Sequence, residues 1–175
     1  MTPEEAKAAL EAGKVAVPYF DGKSIRVENH DKIPEEIWAR VLTEFLTLTP
    51  ADRHQDARHL VANYEAMIDA VGEEDVLEYI EGDPPVLETV WNFVRPSSLT
   101  LTSRGEGEDE IFYLLLEGNI DWEPEHGLLM SWQDGKTLIR VDDYDGHPTH
   151  AGRFDNPEDE EKYIYYYSKK ICTLR

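Results

Sequence analysis

The sequence is short of several features that would narrow its role at once. It has one cysteine, Cys172, so no disulfide can form within the chain and a reducing compartment, the cytoplasm, is expected. No apolar run approaches the ~20 residues that a membrane-spanning helix requires. The opening Met-Thr-Pro-Glu-Glu has neither the basic start nor the apolar stretch of a secretory leader. There is no Gly-rich phosphate loop, and no internal repeat long enough for a solenoid. Cations are scarce: 17 Lys and Arg face 37 Asp and Glu, leaving a formal charge of −20. A field of that sign repels phosphate backbones and anionic lipid, which argues against nucleic-acid and membrane partners. It complements a basic protein surface, although acidity also serves plain solubility.

What is present describes a folded chain. The apolar fraction is 41%, and the aromatic 10% is spread along the sequence, which argues against long disordered stretches. A chain of 175 residues buries roughly 70% of its unfolded surface and needs no metal or disulfide to stay folded. One domain over 1–175 is expected. A short helix in 1–13 starts with a capping box, Thr2 to Glu5, and ends at Gly13. Val15 to Phe20 and Lys23 to Glu28 flank Asp21-Gly22 and predict a hairpin over 14–28.

A helical region over 34–95 follows. Pro34 opens one segment with Ile37, Trp38, Val41, Leu42 and Phe45 on a common face. Thr49-Pro50-Ala51-Asp52 caps a longer helix whose apolar stripe runs from Ala57 through Leu60, Val61, Tyr64 and Ile68 to Val71, stopping at Gly72. Short helices are expected around Val76 to Ile80 and Val86 to Val94. Residues 97–175 then read as antiparallel strands: Leu99 to Thr102, Ile111 to Glu117, Leu128 to Trp132, Thr137 to Val141 across Asp134-Gly135, and Tyr163 to Leu174. Helices grouped apart from strands make the fold class α+β.

The densest stretch is Asn119-Ile120-Asp121-Trp122-Glu123-Pro124-Glu125-His126-Gly127-Leu128. The hairpin Trp132-Gln133-Asp134-Gly135-Lys136 and the acidic turn Asp142-Asp143-Tyr144-Asp145-Gly146-His147 follow it. Together they resemble a family of uncharacterised bacterial domains marked by an acidic-Trp-x-x-Glu-His-Gly-Leu motif and a following Asn/Asp-Gly hairpin. Phe20-Asp21-Gly22-Lys23 and Val90-Trp91-Asn92-Phe93-Val94-Arg95-Pro96 are similar too, so the resemblance extends over most of 14–147. It implies, for some relatives, a place in toxin–immunity loci. It carries no activity onto particular residues.

The motif has two readings from its residues. In one, Glu123, Glu125 and His126 offer oxygen and nitrogen to a calcium or zinc ion, with His147 or His150 completing the shell. The alternative ligand set is Glu125, His126, Asp143 and Asp145. Neighbouring residues on a strand point to opposite faces, so this reading needs the chain to turn at Pro124 and Gly127. In the other, Trp122 packs into the core, Gly127 takes a positive φ, and the Glu125 carboxylate and His126 ring satisfy loop amides. The second is favoured, and no metal, cofactor or catalytic residue is expected, because no catalytic set is complete.

Counting back from Gly146 puts Val141 and Gly152 at the first and last ligand positions of an EF-hand, which excludes one, and leaves a looser calcium site or a plain acidic turn. His54 and His59 are expected on the solvent side of the long helix, and His30 in a loop. Cys172 is expected to pack rather than react, despite Lys169, Lys170 and Arg175 nearby. Between Glu73 and Glu88 lie seven carboxylates and no Lys or Arg. A solvated face explains such a run, and so does a landing site for a basic partner. The residues expected to bind are therefore Trp122, Glu123, Glu125 and His126, together with Glu74, Asp75 and Glu78, in an immunity-type domain that captures a basic protein.

Overall fold

The structure is a computed structural model and describes residues 2–29, 33–154 and 156–175. The loop position expected for His30 lies outside the described residues. In chain order the elements are α1 (Pro3–Ala12), β1 (Lys14–Val17), β2 (Lys23–Glu28), α2 (Glu35–Phe45), α3 (Pro50–Val71) and α4 (Glu73–Leu77). There follow β3 (Val94–Arg104), β4 (Ile111–Ile120), β5 (Glu123–Gln133), β6 (Thr137–Asp142), α5 (Pro157–Lys162), β7 (Tyr163–Tyr166) and β8 (Cys172–Leu174). Both expected capping boxes form: Thr2 with Glu5 on α1 and Thr49 with Asp52 on α3. Each satisfies amides that the first turn leaves without partners.

The fold is α+β, with one change to the expected sheet. Strands β1 to β6 lie in sequence order in a single six-stranded sheet, with β7 and β8 forming a second. The β1–β2 hairpin joins the later strands because β2 pairs parallel with β3, Arg26 opposite Ser98 and Glu28 opposite Thr100. The sheet is therefore mixed rather than antiparallel. A parallel neighbour needs a long crossover, and the helical segment between β2 and β3 is that crossover.

That segment covers one face of the sheet. Trp38, Val41, Leu42 and Phe45 from α2 and Leu60 from α3 pack in one core with Leu99, Leu101, Leu114, Leu116, Met130 and Trp132 from the strands. On the reverse face Tyr113, Leu115 and Ile139 form a smaller apolar cluster.

Several elements differ locally from their sequence pattern. Pro18–Phe20 is a 3-10 turn that drives Tyr19 into the core, so β1 ends three residues early. The helix expected over Val86 to Val94 shrinks to a 3-10 turn at Val90–Phe93, because β3 already begins at Val94. Tyr163 to Leu174 folds back on itself as the β7–β8 hairpin instead of a single strand. That hairpin explains a further correction on α3. It packs on Ala62 and Ala66 through Tyr165 and Ile171, covering a second side of the helix. His59 is consequently buried, not solvent-facing, and its Nδ1 lies 2.6 Å from Thr173 Oγ1. Burial, and secondarily the positive charge of neighbouring Arg58, pulls its imidazole down to about 3. Val71, expected at the end of the apolar stripe, is 46% exposed.

Gly135 lies against the backbone of α2. Its φ is +73°, and a Cβ there would stand 2.1 Å from the Val41 carbonyl oxygen of α2. Gly135→Ala should therefore lower stability by at least ~1–3 kcal/mol, the cost of left-handed backbone alone, before the clash is counted. Urea unfolding of the two proteins checks this. Equal midpoints would mean that α2 does not approach the turn this closely.

Candidate functional site

The Trp-to-Leu motif is built on a break in strand pairing. Ile120 pairs with Glu123 across the two-residue turn Asp121-Trp122, and Gly118 pairs with Leu128. Asn119 alone thus faces four residues of β5, Pro124 to Gly127, which bulge out of the ladder. The bulge supplies the turn that the metal reading required. Gly127 makes it possible: its φ is +73°, and a Cβ would sit 2.6 Å from the Gly118 carbonyl oxygen.

Glu123 holds the bulge from within. Its buried carboxylate accepts from the amides of His126 and Gly127, both at 2.8 Å, through Oε2. Its Oε1 lies 3.0 Å from His126 Nδ1. The amide-satisfying carboxylate is therefore Glu123, not Glu125, whose side chain is exposed beside it. The geometry explains the exchange, since a side chain at the start of the bulge points under it. The His126 ring is exposed, and its hydrogen bond and charge pairing with Glu123 raise its basicity above the ordinary value. Trp122 is fully buried, as expected of a core residue. Its indole N–H donates to Asn63 Oδ1 at 2.8 Å, and Tyr64 meets its ring edge to face at 5.7 Å. Asn63 carried no sequence signal, being one polar residue on a long helix.

The metal candidates do not stay together. The donor atoms of Glu123, Glu125 and His126 all lie within 4.8 Å of one another. Asp145 is bound elsewhere, by the Arg140 guanidinium at 2.8 Å and by Arg153. These pairings hold its carboxyl well below the usual range, despite its partial burial. Arg140 is completely buried, and Asp142 shares both guanidiniums with Asp145. Two arginines thus pair with the carboxylates of this acidic turn that the looser calcium reading would use. His150 is buried with Nε2 3.1 Å from the Ile164 carbonyl oxygen, and His147 sits at the same arginine cluster through its backbone. Neither histidine completes the motif. Asp143 lies with Glu123 and Asn63 along a small cavity of about 120 Å³.

Among the described residues the acidic run Glu73 to Glu88 makes no direct ion pair, and the nearest counter-charge it shows is Arg95, which acts on Glu81 through its field. All seven carboxylates belong to exposed residues, among them Glu74, Asp75 and Glu78, while Val76 anchors α4 in the core. The same run and its approach expose large apolar groups: Val71, Leu77, Tyr79, Val86 and Leu87. A cavity of about 240 Å³ joins this segment to the motif. Met67, Val71, Val76, Tyr79 and Pro124 give it apolar walls. Asp75, Glu123 and Glu125 bring three carboxylates to it, and Trp122 forms part of its lining. The two sets of candidate residues, some fifty positions apart in sequence, therefore meet at one place. Glu74, Glu78 and His126 are not among its lining residues.

Replacing Glu123 separates its structural grip from its charge. Glu123→Gln should return the His126 ring toward its ordinary value of ~6.5. A basicity raised in the folded state favours the protein below that ordinary value, and the benefit fades as pH rises through the shifted one. Proton titration of the His126 ring by NMR in both proteins checks this, and an unchanged midpoint would mean that Glu123 does not set it. Trp122→Ala should cost about 3–5 kcal/mol, as loss of a fully buried indole does, measured by urea unfolding.

Neither a search of curated proteins nor one of solved structures found a match to this chain. A family model described as a domain of unknown function (DUF6985) matches residues 2–148, which include α1 to β6 and the whole Trp-to-Leu motif. The chain therefore belongs to the DUF6985 family of domains of unknown function.

Proposed function

We propose that this domain binds a basic protein partner through the face formed by α4, the segment after it and the β4–β5 bulge, and that it neutralises that partner as an immunity-type protein. The observation that carries this reading is the cavity where Asp75 meets Trp122, Glu123 and Glu125. Three further features support it. The chain carries a formal charge of −20, its acidic run Glu73 to Glu88 lies on this face, and exposed apolar groups lie among those carboxylates. Apolar contacts supply affinity at such a surface, while its negative charge speeds encounter with a basic partner and repels acidic competitors.

With the captured partner purified, the triple variant Glu74→Lys, Asp75→Lys, Glu78→Lys should bind at least ~10-fold more weakly than the native chain, and the native affinity should fall as salt rises. Titration calorimetry at two ionic strengths reads both effects. Affinity indifferent to salt and to the reversal would count against the reading.

The spacing of the Glu123, Glu125 and His126 donor atoms favours a second reading, a divalent cation held at the bulge. Mixed nitrogen and oxygen donors suit zinc better than calcium, which takes six to eight oxygens. The cation would have to displace His126 from Glu123 Oε1. On this reading one zinc ion binds per chain and is lost in Glu125→Ala, as elemental analysis after dialysis would report. Zinc retained equally by both proteins, or by neither, would remove it.

A further inference from the structure

We infer that the cavity between α4 and the β4–β5 bulge receives one arginine side chain of the partner. This rests on the protein-binding reading and specifies the chemistry of its anchor.

Size comes first. At about 240 Å³ the cavity is smaller than the ~300–1,000 Å³ typical of pockets for whole small molecules, so a single long side chain matches it better. Its walls then restrict the stem. Met67, Val71, Val76 and Pro124 are apolar, and methionine adapts to an incoming chain, so the occupant needs several methylenes. The carboxylates restrict the head. Asp75 and Glu125 belong to exposed residues and line the cavity, while Glu123 is already engaged by two amides and His126. A wholly apolar occupant would strip water from Asp75 and Glu125 and give nothing back. An acidic one would be repelled.

Lysine and arginine remain, and Tyr79 distinguishes them. The residue is 57% exposed and lines the cavity, offering a planar guanidinium an aromatic ring that an ammonium uses less well. Arginine also presents a fork of donors to two carboxylates at once and is more weakly hydrated, so it loses less on entry. Among the described residues no cationic side chain lines the cavity. Arg95, which lies with Tyr79 along an adjoining cavity, is already paired with Asp121.

The test is an NMR titration of the full isotope-labelled chain with Nα-acetyl-arginine amide, and with its lysine and norleucine counterparts, at low salt. Saturable shifts are expected at the Trp122 indole N–H and the methyl groups of Val71 and Val76. Arginine should bind at least ~3-fold more tightly than lysine, a margin that Tyr79→Leu erases. The double variant Asp75→Asn, Glu125→Gln changes two exposed side chains and should weaken arginine at least ~10-fold. An unchanged circular dichroism spectrum and unfolding midpoint would show that it keeps the fold. No saturation at these resonances, norleucine binding as well as arginine, lysine matching arginine, or indifference to the double variant would each overturn the inference. Glu74→Lys with Glu78→Lys leaves the lining intact, so it separates the two proposals. If that pair weakens partner capture while arginine amide fails to bind the native chain, the protein-binding reading survives and the arginine anchor does not.

Discussion

The buried carboxylate of Glu123 is the constraint on which the rest of the candidate site depends. Four residues looped out of a β ladder would leave backbone amides without partners, at a cost comparable to several lost hydrogen bonds. One Glu123 oxygen accepts two of those amides and the other meets the His126 ring. The bulge can therefore hold one shape, with Pro124 and Glu125 facing α4 across the cavity and Trp122 buried against Asn63 and Tyr64. A buried charge is costly unless fully bonded, and here every oxygen has a partner.

The chain treats its acidic clusters in two opposite ways. Asp142 and Asp145 are paired with Arg140 and Arg153, one of these guanidiniums lying entirely inside the protein. That cluster is internal architecture, tying the segment after β6 to the strand before it through the carbonyls of His147 and Thr149. The carboxylates from Glu73 to Glu88 have no lysine or arginine within their own run and stand on exposed residues among exposed Val86, Leu87 and Tyr79. One small protein thus holds one acidic cluster paired inside it and a second spread over its surface. The bulge joins that surface to the sheet by facing α4 across the cavity.

Much of the fold was legible in the residues, and the exceptions have identifiable causes. The periodic stripe of α2 and the cap of α3 were readable because helix signals are local. His59 was misplaced because its neighbours on α3 are polar and charged; only the return of β7–β8 onto Ala62 and Ala66 buries it. The parallel pairing of β2 with β3 was invisible for the same reason, since it joins Arg26 to Ser98 across the entire helical region. At the site, Trp122 and Gly127 behaved as their chemistry suggested, whereas the role given to Glu125 belongs to Glu123. Adjacent carboxylates have the same sequence signature, and which one turns inward is set by where the ladder breaks.

By itself the sequence determined the α+β class, the hairpin turns at Asp21-Gly22 and Asp134-Gly135, the capped helices and an acidity that restricts partners. These follow from propensities, turn chemistry and charge, all of which act over a few residues or over the whole chain at once. Only the tertiary structure decided that Asp145 belongs to two arginines, that His59 is buried and that Asp75 lies across a cavity from Glu125. Such meetings depend on how a four-residue bulge and a helix end are aimed at each other by a shared core. No spacing along the chain encodes that direction.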